Sequence, residues 1–320
     1  MMLLEDILTT IMASLAEIPN IVLAMSPIFV YLYLASLGNS VVEKSGILNL
    51  AIDGAYTLGI ALVFTLLVFV GDPTLALLIT SFLIGLLGVL VAFLTTKLPI
   101  SHGAIGLSIQ FVGYGLASFL AYPVSLKVRA ERISLNTYPA VPEVVLAFLT
   151  LSILIGVLIH LLIFKTKLGS AIRAVCENPA GASALGINVL KVRVIATFLG
   201  YVLIGSASSL FLLLYTKNWQ EGLGMGYGWI SFAISLSSGR HPIVGIVTSV
   251  IFAVLIRYAY VLQDALVRYG ISISNFIVIA LPFIAAVLIP LAVTAIPQLR
   301  RRFAPPKHLG KIFFSEERSV

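Results

Sequence analysis

The chain has 320 residues, 60% of them hydrophobic and 10% charged, with a formal net charge of +7 and a mean hydropathy of +1.10. Soluble domains carry about a quarter charged residues, so this composition excludes a soluble enzyme, and no polar block is long enough to build a separate core. The cations cluster at span ends and in the C-terminal tail, which is the pattern of a membrane topology rather than of nucleic-acid binding, and the one cysteine, Cys176, excludes an internal disulfide.

The N-terminal stretch carries Glu5, Asp6 and Glu17 without a basic start, so no cleavable signal peptide is expected. Residues 3–15 predict a helix, apolar on one side, that lies at the interface or opens the first span. Apolar spans follow at 21–37, 50–70, 74–96, 105–122, 144–164, 194–214, 227–236, 243–262 and 271–296. The stretch 227–236 is too short to cross alone. The expectation is an all-α, polytopic integral membrane protein of about eight to ten transmembrane helices. Its transmembrane domain covers residues 1–300, and a short basic tail, 301–320, lies at the anionic cytoplasmic leaflet. With the loop at 165–193 inside, 14 of the 20 Lys and Arg fall on the cytoplasmic side. The positive-inside rule supports that orientation. Loops at 123–143 and 217–226 then face outward, as connections or as the seat of a separate binding protein.

The segment GNSVVEKSGILNLAIDGAYTLG (38–59) is a membrane span loosened by Gly38, Gly46, Gly54 and Gly59. Irregular backbone at membrane depth is tolerated only where protein or a water-filled cavity surrounds it. Asn49, Asp53 and Tyr56 fall at i, i+4 and i+7, one face of a helix. An ionisable group is costly against lipid, so Asp53 is expected to face the bundle interior and to line or gate a pathway. The alternatives are that it caps a half-helix or pairs with Lys44. Gln110, in a glycine-rich span, is a second pathway candidate; the alternative is a bond to a neighbouring helix. Asn275 in the last span is a weaker one.

The longest polar interruption is KTKLGSAIRAVCENPAGASALGINVLKVR (165–193). Lys165, Lys167, Lys191 and Arg193 stand at its edges, where cations reach headgroups. Asn178 is placed to cap a short helix, Pro179 suits its first position and Gly186 its end. The helix body, 180–185, is nearly all small side chains, so another surface can approach closely. The reading is a helix presented to a partner, against that of a solvated connector.

Catalytic signatures are missing. There is no phosphate-binding GxxxxGK[ST] loop and no GxSxG elbow, and His102, His160, His241 and His308 lack metal-ligand spacing. The expected role is therefore not enzymatic, with no cofactor or metal of its own.

Three stretches resemble one family. EKSGILNLAIDG (43–54), RAVCENPAGASALGIN (173–188) and SSGRHPIVG (237–245) look like the signature segments of permease subunits of bacterial and archaeal ATP-binding-cassette importers for sugars and nucleosides, related to the branched-chain amino acid permeases. Order and spacing fit over residues 20–300. Two departures stand out: Ala180, Gly181 and Ala182 occupy the place of the family's Glu-Ala-Ala, and Asp53 that of its second acid, usually Glu. The resemblance implies a multi-pass protein of the cytoplasmic membrane that pairs with a second permease subunit, identical or not, within membrane lipid. It also implies an ATP-binding subunit that holds and hydrolyses the nucleotide, and an extracytoplasmic solute-binding protein. Arg173, Glu177, Asn178, Pro179, Gly181, Ala184 and Gly186 then couple to the ATP-binding subunit, while Asn49, Asp53, Tyr56 and Gln110 line the substrate pathway. A small neutral solute, a nucleoside before a sugar or a branched-chain amino acid, is the expected cargo. An ion-coupled secondary transporter would need intramembrane carboxylates in several spans, and only Asp53 is evident; a non-transporting scaffold would leave the broken segment without a purpose.

Overall fold

The computed structural model describes residues 2–268 and 274–313. It is helical throughout, in the order α1 (Met2–Glu43), α2 (Ile52–Val70), α3 (Pro73–Lys97), α4 (His102–Glu131), α5 (Pro142–Lys165), α6 (Lys167–Glu177), α7 (Pro179–Ala184), α8 (Val189–Leu210), α9 (Tyr227–Ser237), α10 (Pro242–Arg268), α11 (Asn275–Ala295) and α12 (Pro297–Arg302). The expected one-sided character of residues 3–15, the start of the span at 271–296, the side chain of Asn275 and the tail from 314 to 320 lie outside the described residues. Among those described, seven helices are long and apolar enough to cross a membrane. The 11-residue α9, together with α11, whose apolar part among the described residues is Ala280–Ala295, supplies the rest of the nine expected segments.

Helix starts follow local chemistry. Asp72 accepts the Leu75 amide at 2.7 Å with Pro73 behind it, Ser101 accepts the Ala104 amide at 3.1 Å, and Asn188 accepts that of Lys191 at 2.9 Å. Each satisfies one of the donors a helix N-terminus leaves orphaned. The described spans sort into inner and outer ones. Of the most apolar 18-residue stretch in each, 78% is buried in Val189–Thr216 and 72% in α2, against 17% in α5 and 33% in α4. The outer helices turn Phe82, Phe93, Phe111, Phe119, Leu154 and Leu158 outward, as a lipid-facing surface requires.

Two interruptions break this bundle. Between α1 and α2 the chain unwinds over residues 44–51, turning at Gly46 (φ +93°), a conformation costly for any residue with a Cβ. The second lies beyond α8, whose last turns widen into a π-helical segment, Phe211–Thr216. The chain then re-enters over 217–226, with Trp219 buried and stacked on Phe64, ring centroids 5.8 Å apart. Only then does α9 begin, and its 11 residues span roughly 16 Å, about half a membrane.

One end of the bundle gathers the turn at Lys44, the ends of α3 and α5, α6 with α7, Arg240 and the tail, which is the basic end. The other joins Asn136 to the Gly71 carbonyl at 3.0 Å and the Tyr138 amide to Leu213 at 3.2 Å. Two expectations are corrected here. The boundary drawn at residue 300 falls inside α12. Arg193 is fully buried instead of reaching headgroups: two positions from exposed Lys191, it falls on the inner face of α8.

Candidate functional site

The break and the half-helix meet at Asp53. It stands in the first turn of α2, fully buried, and its carboxylate accepts the amide of Gly228 at 2.7 Å and that of Gly226 at 2.9 Å to both oxygens. The hydroxyl of Tyr114, on α4, donates to the same group. A carboxylate from one helix thus caps the N-terminus of another, where unpaired amides and the helix dipole both favour negative charge. Lys44 is not its partner, since that ammonium lies 5.4 Å over the Phe164 ring. Burial lowers the pKa of Lys44 from the usual lysine range.

Gln110 joins this network. Its amide lies 2.9 Å from the Tyr114 hydroxyl, with the nitrogen 2.7 Å from the Leu50 carbonyl and the oxygen 3.3 Å from the Trp229 indole nitrogen in the orientation that satisfies both. It gets there because α2 and α4 touch through their backbones. A Cβ on Gly113 would come within 2.6 Å of the Gly54 carbonyl oxygen.

Asn49 sits elsewhere. The helix restarts only at Ile52, so Asn49 belongs to the unwound connection and does not share a face of α2 with Asp53 and Tyr56. It accepts the Tyr201 hydroxyl at 2.7 Å and donates to Asn39 at 3.0 Å, which staples the break to α8 and α1. Tyr56 enters an aromatic cluster. Its ring lies 5.9 Å from Phe211, and Tyr31 stands 4.8, 5.5 and 5.9 Å from Phe211, Tyr215 and Tyr227. The π-helical turn places Phe211 and Tyr215 on this one side. The hydroxyls of Tyr31 and Tyr56 are buried and have no hydrogen-bond partner.

At the basic end the three signature stretches converge. Glu43, of the first, pairs with Arg240, of the third, at 2.5 Å with both side chains buried. Cys176, of the second, donates its thiol to the Glu43 carbonyl at 3.3 Å. Burial pushes that thiol up to about 12, so it stays protonated and inert. Arg193 donates to the Ser45 carbonyl at 3.3 Å and to Thr96 at 3.4 Å.

The short helix of the second stretch forms as expected: Asn178 accepts the Gly181 amide at 2.9 Å, Pro179 opens α7, and Gly186 (φ +85°) ends it. Ala184 and Gly186 are exposed, as are Arg173, Glu177 and Asn178, while Pro179 is buried. Gly181 is half-buried against Asn178, and a Cβ there would meet that side chain at 2.8 Å, so a bulky residue would damage the cap before it met any partner. The most exposed large apolar side chain is Leu185, 85% exposed at the tip. The sequence reading missed α6, whose signal is Ile172, Val175 and Cys176 at i, i+3 and i+4, all buried. It also missed Tyr114, one turn beyond Gln110, and Trp229, in the first turn of α9.

Residues 21–293 match the model of a family described as branched-chain amino acid transport system, permease component. An uncharacterized protein of Mycoplasma genitalium, MG121, is 30% identical over 88% of this chain and 93% of its own. The nucleoside ABC transporter permease protein NupC of Lactococcus lactis is 28% identical over 72% of this chain and 78% of its own. The putative glucose ABC transporter permease protein TsgC13 of Haloferax volcanii is 27% identical over 70% and 72%. No solved structure matches the chain.

Proposed function

The chain belongs to the branched-chain amino acid transport system permease family, and from that premise we propose that it is the membrane-spanning subunit of an importer whose cargo is a nucleoside. Its partners are an ATP-binding subunit, which carries all the nucleotide chemistry, a second permease subunit and an extracytoplasmic solute-binding protein.

The observation that carries the choice of cargo is the state of the buried groups beside the break. Asp53 has its acceptor capacity taken by two amides and a hydroxyl, and Glu43 and Arg240 neutralise each other. Neither Asp53 nor the Glu43–Arg240 pair is left over to hold an amino-acid zwitterion, and the Lys44 ammonium lies over the Phe164 ring. The groups left without partners beside the break are neutral and aromatic: the buried hydroxyls of Tyr31 and Tyr56, set among the rings of Phe211 and Tyr227. Rings of this kind stack on a base, and the hydroxyls bond to a ribose or a base edge. The relative named as a nucleoside permease supports the reading, and the one named as a putative glucose permease keeps a sugar as its rival.

In this reading α9 is the moving part of the pathway and Asp53 is the pin that holds its head. Asn49 and Gln110 fix the break and α4 around it. The module α6–α7 carries the push. It shares an apolar cluster, Val41, Ile163, Ile172, Val175, Val189 and Val192, with the ends of α1, α5 and α8, so ATP-driven closure against Ala184 and Leu185 moves those spans together.

The test is the reconstituted complex with its neighbouring solute-binding protein, supplied in turn with radiolabelled guanosine, adenosine, ribose and leucine. Uptake of a nucleoside, competed by the other nucleoside, is the expected result. Uptake of ribose or leucine with no nucleoside competition overturns the choice of cargo.

A further inference from the structure

Residues 303–313 do not leave the bundle after α12. Phe303 packs so closely on the turn after α9 that Gly239 has no room for a Cβ. His308 donates its amide to the Cys176 carbonyl at 3.2 Å, and its ring nitrogen Nδ1 stands 2.7 Å from the Glu177 carbonyl. Gly310 donates its amide to the Gly46 carbonyl at 3.0 Å, inside the break, and lies against Leu48. Phe313 covers the Arg193 guanidinium at 5.9 Å and packs against the apolar cluster under α6 and α7. Through Phe303, His308, Gly310 and Phe313 this segment therefore touches the end of the half-helix, the break and the base of the module that meets the ATP-binding subunit.

We propose that residues 303–313 are a strap that carries movement of α6–α7 to the break at 44–51 and to the turn after α9. The bonds have the form such a role needs. Both α6 contacts end on carbonyls at its C-terminus, which the helix itself leaves unpaired, so the strap grips the module at its rim. Gly310 then binds the backbone of the break where it is already non-helical, and where a small displacement is not resisted by a helical ladder. Without the strap, a push on α7 reaches α2 only indirectly, through α1 and α8.

This rests on the permease reading and not on the choice of nucleoside. The test uses the complete importer in lipid, with the full chain, with a chain ending at Arg302, and with the milder variants Gly310→Val and Phe313→Ala. Gly310→Val places a branched side chain at φ +74° against Leu48. The first readout is amide hydrogen exchange over 44–51 before and after vanadate trapping of the ATP-binding subunit. The second is solute imported per ATP hydrolysed. With the full chain, trapping is expected to change exchange at the break. In the variants both the trapping response and the import per ATP are expected to fall about fivefold or more, the lower end for coupled sites. An unchanged trapping response in the variants overturns the proposal, as does a fall in inserted protein at unchanged import per ATP. A full-chain complex that shows the trapping response but imports no nucleoside defeats only the choice of cargo.

Discussion

Replacing Asp53 with asparagine keeps the size of the side chain and removes its charge and one acceptor. The amide oxygen takes the place of Oδ1 and still receives Gly226 and Gly228. The amide nitrogen takes the place of Oδ2, where it faces a second approach of the Gly226 amide and the Tyr114 hydroxyl. Tyr114 can rotate and accept, but the Gly226 amide cannot. Hydrogen bonds to a charged acceptor are worth about 1 kcal/mol more than neutral ones. Three of them, with the dipole contribution, put the loss at about 3 kcal/mol for docking of α9. The desolvation of the carboxylate does not reverse the sign, because undocking α9 within the bilayer does not return Asp53 to water. A loss of that size raises the opening equilibrium about 150-fold. The assay is hydrogen exchange of the amides around Gly226 and Gly228 in lipid nanodiscs, alongside uptake per inserted molecule. Protection is expected to fall by roughly that factor, and uptake per molecule to fall with it. A change in protection below about fivefold would refute the assignment of Asp53 as the pin.

Arg240→Ala strands a buried Glu43 and is expected to cost about 3–5 kcal/mol, seen as lost thermal stability of the purified protein, while Glu43→Leu with Arg240→Met recovers most of it. Ala184→Trp, on an exposed surface, is expected to insert normally and to abolish solute-stimulated ATP hydrolysis; normal transport by this variant would sink the docking assignment. Tyr31→Phe and Tyr56→Phe each delete an unpartnered hydroxyl, so stability is expected to hold while the apparent KM for the solute rises about tenfold, and an unchanged KM in both variants excludes these hydroxyls from recognition.

The spans were legible because twenty-residue apolar runs have few other uses. The break was legible because four glycines and an aspartate within one span have no lipid-facing explanation. The site was less so. Periodicity alone does not say where a helix restarts, and the non-helical stretch up to Ala51 moved Asn49 off the face it was expected to share. Tyr114 and Trp229 were missed because aromatic residues are common on membrane helices; only the backbone contact of Gly54 with Gly113, 59 positions apart, gives these two a role. Arg193 reads as a headgroup anchor by its position, while it is buried on the inner face of α8 with the ring of Phe313, 120 positions later, over its guanidinium. What sequence spacing withholds is pairing between distant segments.

That same pairing explains why the three signature stretches belong together. None of them is a binding loop by itself. Glu43 reaches Arg240, Cys176 reaches the Glu43 carbonyl, and Asp53 reaches the head of α9, whose tail ends in the third stretch. A site that touched solute directly would keep its buried charges free for it, yet Glu43 and Arg240 pair with each other and Asp53 spends its bonds on the head of α9 and on Tyr114. Together they hold two broken spans and the α6–α7 module in fixed relation. In the proposed reading such a hinge transmits movement and leaves the choice of cargo to the neutral aromatic residues Tyr31, Tyr56 and Tyr227. Substitutions in the stretches are therefore expected to impair import of every solute alike, and changes at Tyr31, Tyr56 or Tyr227 to alter which solute is imported. A cargo switch produced by Glu43→Asp alone would contradict that division.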